Sequence, residues 1–357
     1  MPSRPLRPSF TRRGMLAFGA LALVGGISLG LGGCGGGDTA TPIPAPTVTA
    51  TAVKPLVIAV IPKGTTHEFW KTVHAGVVKA ERELNAAGTP VKIIWKGPLK
   101  EDDRDSQIDT VQSFIAQGVN GIVLMPLDRT ALVAPVELAV QSKIPVVIAD
   151  SALESEASSS YVATNNKEGG RIGGKRLGEL LGGKGKVILL RYMEGSASTE
   201  EREAGFLEAI ATFPGITVIS SNVHAGATQE TALAASQNLI NRFKDEVEGV
   251  FCPCEPVTTA ITMALTEQGL NKKVKVVGFD NTQRLVDWLK AGDLHGLVLQ
   301  DPLGMGYLAV KAVVAAAQGK PVDKLNSMAP RLVTAENMEQ PEFKALLNPP
   351  LAEYLGK

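Results

Sequence analysis

Residues 118–139, "GVNGIVLMPLDRTALVAPVELA", and residues 246–265, "EVEGVFCPCEPVTTAITMAL", share one layout. In both, a short apolar run gives way to a longer stretch of helical character. The correspondence continues downstream, where "PVVIADS" at 145–151 matches "VKVVGFDN" at 274–281. A chain that contains the same unit twice is expected to form two similar sheets side by side rather than one wide sheet.

From Lys54 onward the chain alternates short β-branched runs with longer amphipathic stretches, which is typical of doubly wound parallel sheets. The short runs are "LVIAVI", "VKIIWKG", "GIVLMP", "PVVIAD", "KVILLRY", "ITVISSN", "GVFCPC", "VKVVGFD" and "GLVLQD". Ligands of such sheets bind beyond the carboxyl ends of the strands. With two sheets whose carboxyl ends face each other, that place is the cleft between two lobes. The stretch "VIAVIPKGTTHEFW" at 57–70 leads from a strand directly into this cleft.

The residues that follow the strands are therefore the candidates for ligand contact. They are Lys63, His67, Phe69, Trp70, Asp150, Arg202, Cys254, Glu255, Asp280 and Gln300. A sugar or polyol needs these residue types, because a carboxylate accepts hydrogen bonds from neighbouring hydroxyls while an arginine donates them in a planar fork. The apolar C–H faces of a sugar ring pack on aromatic rings.

Several candidates also have a structural alternative. Asp150 and Asp280 could end strands and cap the next helix, since Asp is a favoured N-cap residue. Their matching places in the two halves favour ligand contact in the cleft over helix capping. Phe69 and Trp70 could both be core residues, but adjacent helical residues point about 100° apart, so at least one is expected to leave the helix–sheet interface. Arg202 is expected to open a helix, where the helix dipole does not favour a basic residue, and so to have a specific partner.

The sequence gives little support to an enzyme, a metal site or a cofactor. His67 and His74 lie seven residues apart, about 10 Å along a helix, which is too far to share one metal ion. Cys252 and Cys254 could form a strained local disulfide or remain free thiols. No Ser–His–Asp arrangement or nucleophile elbow is present. An enzyme that uses Cys254, His67 and Glu255 is the least supported of the functional hypotheses.

The amino-terminal segment is predicted to be an export signal. The stretch "TRRGMLAFGALALVGGISLGLGGC" at 11–34 has paired arginines, a Gly/Ala/Leu-rich apolar part and small residues before Cys34. It resembles a twin-arginine signal at its start and a bacterial lipobox at its end, so we expect cleavage after residue 33 and a lipid on Cys34. An uncleaved anchor helix is the alternative, which the many glycines disfavour. Residues 34–54, rich in Gly, Pro, Thr and Ala, are expected to form a flexible tether.

The charge of the chain argues against one class of partner. The sequence has 36 basic and 36 acidic residues, and removal of residues 1–33 takes away four arginines and no acid, which leaves a net charge of −4. No long basic run is present, so a nucleic-acid partner is not expected.

The strand and helix stretches after Lys54 together resemble the periplasmic binding proteins of sugar importers, the ribose-binding group that shares its core with the lac-repressor family. The resemblance covers roughly residues 55–335, most specifically in "IAQGVNGIVLMPLD", "IPVVIADS", "NNKEGGRIGGKRLGELLGGKGKVILL", "EREAGFLEAIATFPGI", "KVVGFDN" and "DPLGMGYLAVKA". It implies two α/β lobes joined by three crossing hinge segments, near 161–165, 299–303 and 326–331. The implied division is a signal (1–33), a tether (34–54), an amino-terminal lobe (55–163 with 302–327), a carboxyl-terminal lobe (164–301 with 328–340) and a carboxyl-terminal tail (341–357).

The resemblance also implies which residues contact the ligand. The family's contacts fall on His67, Phe69, Trp70, Asp150, Arg202, Cys254, Asp280 and Gln300. Six of these keep the family's chemistry: the two aromatics, the two aspartates, the arginine and the glutamine. Ribose binders have Asn in place of His67, Arg in place of Ser151 and Asn in place of Cys254, and a ring of the second lobe is missing near Ala227. Ribose itself is therefore not the expected ligand.

The expected function is a non-enzymatic, lipid-anchored receptor that delivers a small polar ligand, a sugar or polyol, to an ABC permease of the inner membrane. A sensory module that presents its closed form to a chemoreceptor or histidine kinase is the alternative. The protein is expected to be a monomer in the periplasm or on the outer face of the cell membrane, attached only through its lipid. A transcription regulator is excluded, because nothing before Lys54 could form a helix-turn-helix.

Overall fold

Two six-stranded sheets organise residues 54–356, the part of the chain that the computed structural model describes. The first has the order β11-β5-β4-β3-β1-β2 and is parallel throughout. Its strands are β1 (Leu56–Ile61), β2 (Val91–Trp95), β3 (Gly121–Leu124), β4 (Val146–Ala149), β5 (Ser160–Thr164) and β11 (Leu325–Met328). We call this sheet and the helices that cover it the first lobe.

The second sheet has the order β12-β10-β9-β8-β6-β7 and is parallel except for its edge strand β12. Its strands are β6 (Lys184–Arg191), β7 (Gly215–His224), β8 (Gly249–Phe251), β9 (Lys275–Phe279), β10 (Gly296–Leu299) and β12 (Arg331–Val333). This sheet with its helices is the second lobe. The two lobes confirm the predicted α/β class of two doubly wound parallel sheets.

Helices cover both faces of each sheet. They are α1 (Glu68–Ala86), α2 (Arg104–Ala116), α3 (Val133–Gln141), α4 (Asn166–Leu180), α5 (Ala197–Ile210), α6 (Gln229–Phe243), α7 (Glu255–Glu267), α8 (Gln283–Ala291), α9 (Pro302–Ala317), α10 (Pro341–Leu347) and α11 (Leu351–Leu355). The sequence of β1 is almost wholly aliphatic because the strand is buried on both faces. Ile58 and Val60 pack towards α1 and α9, and Ala59 and Ile61 pack towards α2 and α3. A strand buried on both faces has no polar side.

Glycines bring α4 and α5 of the second lobe into backbone contact. A Cβ atom placed on Gly170 would lie 1.9 Å from the carbonyl oxygen of Arg202, and one on Gly205 would lie 2.0 Å from that of Lys167. Each glycine costs a helix about 1 kcal/mol relative to alanine. The close packing of the two helices offsets this cost and fixes the position of Arg202 at their interface.

The chain passes between the lobes three times. It leaves the first lobe after β5, returns after β10 into α9, and leaves again between β11 and β12. Two of these crossings are tied to each other, because the backbone N–H of Asn165 donates to the carbonyl oxygen of Met328 at 2.8 Å. These are the three crossing segments of the predicted fold class.

The last residues of the chain contact both lobes. Phe343 and Leu347 of α10 are buried in the core of the second lobe. Helix α11 lies against α1 of the first lobe, where the Arg82 guanidinium donates to the carbonyl oxygens of Glu353 and Tyr354 at 2.8 and 3.0 Å. The segment that the sequence predicted as a tail thus contains two helices that pack on different lobes.

The predicted export signal, the lipid-bearing Cys34 and the tether as far as residue 53 lie outside the described residues. Between residues 54 and 356 no helix combines the length and the apolar character that a membrane span requires.

Candidate ligand-binding site

A cavity lies between the lobes, and all ten candidate residues line it. The first lobe contributes Lys63, His67, Phe69, Trp70 and Asp150, and the second lobe contributes Arg202, Cys254, Glu255 and Asp280, with Gln300 at the second crossing. We call this space the inner cavity. The arrangement follows from the fold, since every one of these residues comes shortly after a strand or near the start of the helix that follows it.

Asp150 and Asp280 hold equivalent places in the two lobes. Each directly follows the last residue of its strand, β4 or β9, and each has a left-handed backbone, with φ of 62° and 64°. This conformation costs a non-glycine residue of order 1 kcal/mol or more and is concentrated at functional sites. The capping alternative is wrong for the helix after Asp280, because Thr282 is the N-cap of α8 and accepts from the N–H of Leu285.

Asp280 instead joins the second crossing to the start of α7. Its Oδ1 accepts from the Gln300 side-chain amide at 2.7 Å, and its Oδ2 accepts from the backbone N–H of Glu255 at 3.2 Å. The Gln300 carbonyl in turn accepts from the Thr164 hydroxyl at 2.8 Å. Burial raises the pKa of Asp280, although the Arg202 charge and the Gln300 hydrogen bond oppose the increase. A hydroxyl donor from a ligand would favour the charged carboxylate.

Arg202 is almost completely buried and has the specific partners that the sequence predicted. Its Nε donates to Asn166 Oδ1 and its Nη1 to the carbonyl oxygen of Pro253, both at 2.9 Å, and its guanidinium lies 4.2 Å from the centre of the Phe279 ring. The predicted position at a helix start is wrong, because α5 begins at Ala197 and Arg202 is its sixth residue. Within residues 54–356 its Nη2 has no hydrogen-bond partner, so the fork still offers a donor at the inner cavity.

Lys63 joins the two lobes across the cavity. Its ammonium pairs with Asp150 at 3.1 Å and donates to the hydroxyls of Ser196 and Ser198 in the second lobe at 3.3 and 3.0 Å. The backbone N–H of Ser198 donates to the Ser151 hydroxyl at 3.0 Å. These contacts between buried groups join the two lobes at the inner cavity.

Glu101 is the most important cavity residue that the sequence did not reveal. It pairs with His67, and it accepts from the Trp70 indole N–H and from the Tyr192 hydroxyl of the second lobe, each at 2.7 Å. Burial alone would raise the pKa of Glu101, but His67, Lys63 and the Trp70 hydrogen bond outweigh burial and lower it to about 2. Burial lowers the pKa of His67, but Glu101 outweighs this and raises it. Two opposite charges therefore face each other at the cavity wall.

The other lining residues that the sequence did not single out are Tyr192, Ser198, Thr199 and Pro256. Glu101 follows β2, so the rule that strand exits line the cleft could have found it. It lies in the acidic run Glu101–Asp103, and such a run is also typical of a solvated loop, so the signal is weak.

The aromatic and sulfur residues divide between core and cavity. Trp70 is buried in the first-lobe core, whereas the half-buried Phe69 meets it edge to face with ring centres 5.0 Å apart, and both line the cavity.

Cys252 and Cys254 are free thiols. Burial raises the pKa of both well above the ordinary value, so the thiols remain protonated at neutral pH. A protonated, buried thiol is a poor nucleophile.

The chain belongs to the family of the periplasmic binding protein domain, whose model matches residues 58–321. It is 27% identical over 281 residues to the ribose import binding protein of Bacillus subtilis, an alignment that covers 79% of this chain and 88% of the relative. It is 26% identical over 299 residues to the xylitol-binding protein of Mycolicibacterium smegmatis, with coverage of 84% and 79%. These matches confirm the resemblance inferred from the sequence.

Solved structures extend the comparison to the fold. A carbohydrate transporter solute binding protein from Agrobacterium radiobacter, in complex with D-arabinose, superposes with a TM-score of 0.78 at 32% identity and covers 83% of this chain and all of the neighbour. An ABC transporter solute binding protein from Agrobacterium vitis with bound D-fucose gives 0.77 at 28% identity, with coverage of 82% and 100%. The chain is thus a member of the sugar-binding solute-binding proteins of ABC transporters, a family of exported proteins that transport sugars and do not catalyse reactions.

Proposed function

We propose that the protein binds one small sugar or polyol in the inner cavity and delivers it to an ABC permease, without chemical change to the ligand. The observation that carries this proposal is the composition of the cavity, in which two equivalent aspartates, an arginine and an amide from opposite lobes converge beside the Phe69 ring. Charged groups of this kind form hydrogen bonds roughly twice as strong as neutral ones. The protonated state of the Cys254 thiol supports a binding role over a catalytic one.

The ligand must be identified by experiment, because the related proteins bind different compounds. The structures above contain D-arabinose and D-fucose, and the named relatives bind ribose and xylitol. We would first analyse the purified protein by native mass spectrometry for a ligand carried over from expression. A thermal-shift screen of pentoses, hexoses, polyols and sugar acids follows, with an expected rise in melting temperature for a small subset of the sugars or polyols. No shift with any member of the panel would contradict the proposal.

Ligand binding is expected to close the lobes about the three crossing segments. A ligand that touches both lobes only in the closed state stabilises that state and increases its population. The closed arrangement includes the Lys63–Ser198 and Tyr192–Glu101 hydrogen bonds between lobes. Small-angle X-ray scattering should give a smaller radius of gyration with the identified sugar than without it. A non-binding sugar from the same screen is the control, and identical curves with and without the ligand would argue against closure.

The protein is expected to be anchored to a membrane through a lipid on Cys34. The basis is Leu-Gly-Gly-Cys followed by a tether that contains almost no charge. The Cys34→Ser variant should move from the membrane fraction to the soluble fraction, measured by fractionation and immunoblotting of cells that express the whole chain. The control is Gly36→Ser, which introduces the same residue two positions away and should stay with membranes. Equal membrane fractions for the two variants would show that Cys34 is not the anchor.

A further inference from the structure

A second and larger space adjoins the inner cavity at the mouth of the cleft. The centre of a water-sized sphere can occupy about 340 Å³ of it, compared with about 40 Å³ of the inner cavity. Both lobes line it: the first lobe through 66–68 and 99–101, the second through 227–230 and Glu255. We call it the outer cavity. It shares His67, Glu101 and Glu255 with the inner cavity, so these three side chains form the partition between the two spaces.

The wall of the outer cavity carries hydrogen-bonding groups that the protein does not use. In the described part of the chain, no hydrogen bond involves the Thr66 hydroxyl, the Lys100 ammonium or the Gln229 amide. An apolar surface lies beside them, since Leu99 is 67% exposed. Donors and acceptors beside an apolar patch suit a second sugar ring or another ring-bearing group. Ala227 of the second lobe is a small residue on the wall of the outer cavity, so no bulky side chain from this position fills the space.

Glu255 provides the link between the two cavities. It is 6% exposed, and its Oε1 accepts from the Thr259 hydroxyl at 3.1 Å. Its Oε2 has no hydrogen-bond partner among residues 54–356, although the residue lines both spaces. This oxygen is open to the adjoining space and can accept a hydrogen bond from a donor there. A hydroxyl of a ligand that extends from one cavity into the other would supply that donor.

We propose that the outer cavity is a second subsite, which receives the substituent of a glycosylated sugar while the first ring occupies the inner cavity. The substituent is a second sugar ring or a non-sugar group joined through a glycosidic oxygen. This proposal rests on the proposed function, because it takes the inner cavity to bind a sugar ring. It goes beyond the proposed function in the size of the ligand, because a single monosaccharide in the inner cavity would leave only water in the outer cavity.

The test compares free sugars with their glycosylated forms. D-Ribose, D-allose, D-arabinose and D-fucose are each measured by calorimetric titration beside their methyl and phenyl glycosides in both anomeric forms, and disaccharides form a separate arm. We expect at least one glycosylated form to bind as tightly as its free parent or within about ten-fold of it. A preference for disaccharides over phenyl glycosides identifies the substituent as a sugar, and the reverse preference identifies it as a non-sugar group.

A substitution in the outer cavity separates this proposal from the proposed function. Gln229 is exposed and lines only the outer of the two cavities, so Gln229→Trp should fold and should weaken binding of the glycosylated form by about ten-fold or more while the free sugar changes by less than about three-fold. Leu99→Trp repeats the test from the other lobe. Asn238→Trp, at an exposed position on the same helix as Gln229, should change neither affinity.

Each other outcome contradicts a different claim. If free sugars bind and every glycosylated form is weaker by more than about ten-fold, the second subsite does not exist and the proposed function stands. If Gln229→Trp weakens both kinds of ligand equally, the outer cavity acts on closure rather than as a subsite, and the proposal is wrong. If no sugar of either size binds, the proposed function fails and this inference fails with it.

Discussion

Replacement of Arg202 by lysine is expected to weaken binding of the identified sugar by roughly ten- to a hundred-fold. The guanidinium already donates to Asn166 and to the carbonyl oxygen of Pro253, and it lies over the Phe279 ring. A single ammonium cannot keep these contacts and also donate to a ligand. A lost charge-assisted hydrogen bond in a buried site costs about 1.5 to 3 kcal/mol. Calorimetric titration of the parent protein and the variant measures the difference.

The two aspartates provide the check on this assignment. Asp150→Asn and Asp280→Asn should also weaken binding by at least about ten-fold. Asn caps helices about as well as Asp does, so a pure capping role predicts little change. Arg202 also stabilises the interface of α4 and α5, and its variant should melt at a lower temperature. If all three variants bind as tightly as the parent, these residues are structural and the site assignment is lost, whatever happens to the melting temperature.

Replacement of Glu101 by alanine is expected to lower the free energy of unfolding of the ligand-free protein by about 3 to 5 kcal/mol, the usual effect of removing one partner of a buried ion pair. The change leaves the His67 imidazole, the Trp70 indole N–H and the Tyr192 hydroxyl without their acceptor. Urea denaturation measures the difference. The control is Glu68→Ala, which removes an exposed carboxylate whose pair with Lys71 should contribute less than about 1 kcal/mol.

The pH dependence of stability tests the charge on Glu101. Its folded pKa of about 2 lies below the ordinary 4.5, so its contribution is present above about pH 4.5 and is lost as the pH falls towards 2. The raised pKa of His67 acts in the other direction: its contribution is complete below pH 6.5 and is lost as the pH rises through the folded value. Glu101→Gln should therefore lose less stability than the parent between pH 4.5 and 2. Parallel acid curves would mean that the carboxylate is not held in its charged form.

The sequence predicted the positions of the site better than its contacts. The rule that strand exits line the cleft brought ten residues to one cavity, because the carboxyl ends of parallel strands meet at one edge of each sheet. The same rule does not say which groups pair across the cleft. The Tyr192–Glu101 hydrogen bond joins residues 91 positions apart that belong to different lobes. No local pattern encodes such a contact.

The sequence was also a poor guide to the start of α5 and to the structure of the last segment of the chain. The stretch before Arg202 reads "GSASTEER", which offers several possible capping residues, and the actual N-cap Ser196 makes no side-chain capping bond. The start of α5 was therefore placed too late. Short helices such as α10 and α11 have little stability alone and depend on the surfaces that they pack on. Their docking on two different lobes could not be read from residues 341–355.

The crossings of the chain also determine when each lobe can acquire its core during synthesis. Proteins made of consecutive domains can fold from the amino terminus while the ribosome is still adding residues. Here the first lobe needs α9, whose Val310 and Val313 lie in its core, and then β11, which pairs with β5. The second lobe needs β12 and the buried Phe343. The core of the first lobe therefore remains incomplete until Met328 has been translated and that of the second until Phe343, so the two cores are completed at neighbouring points of synthesis.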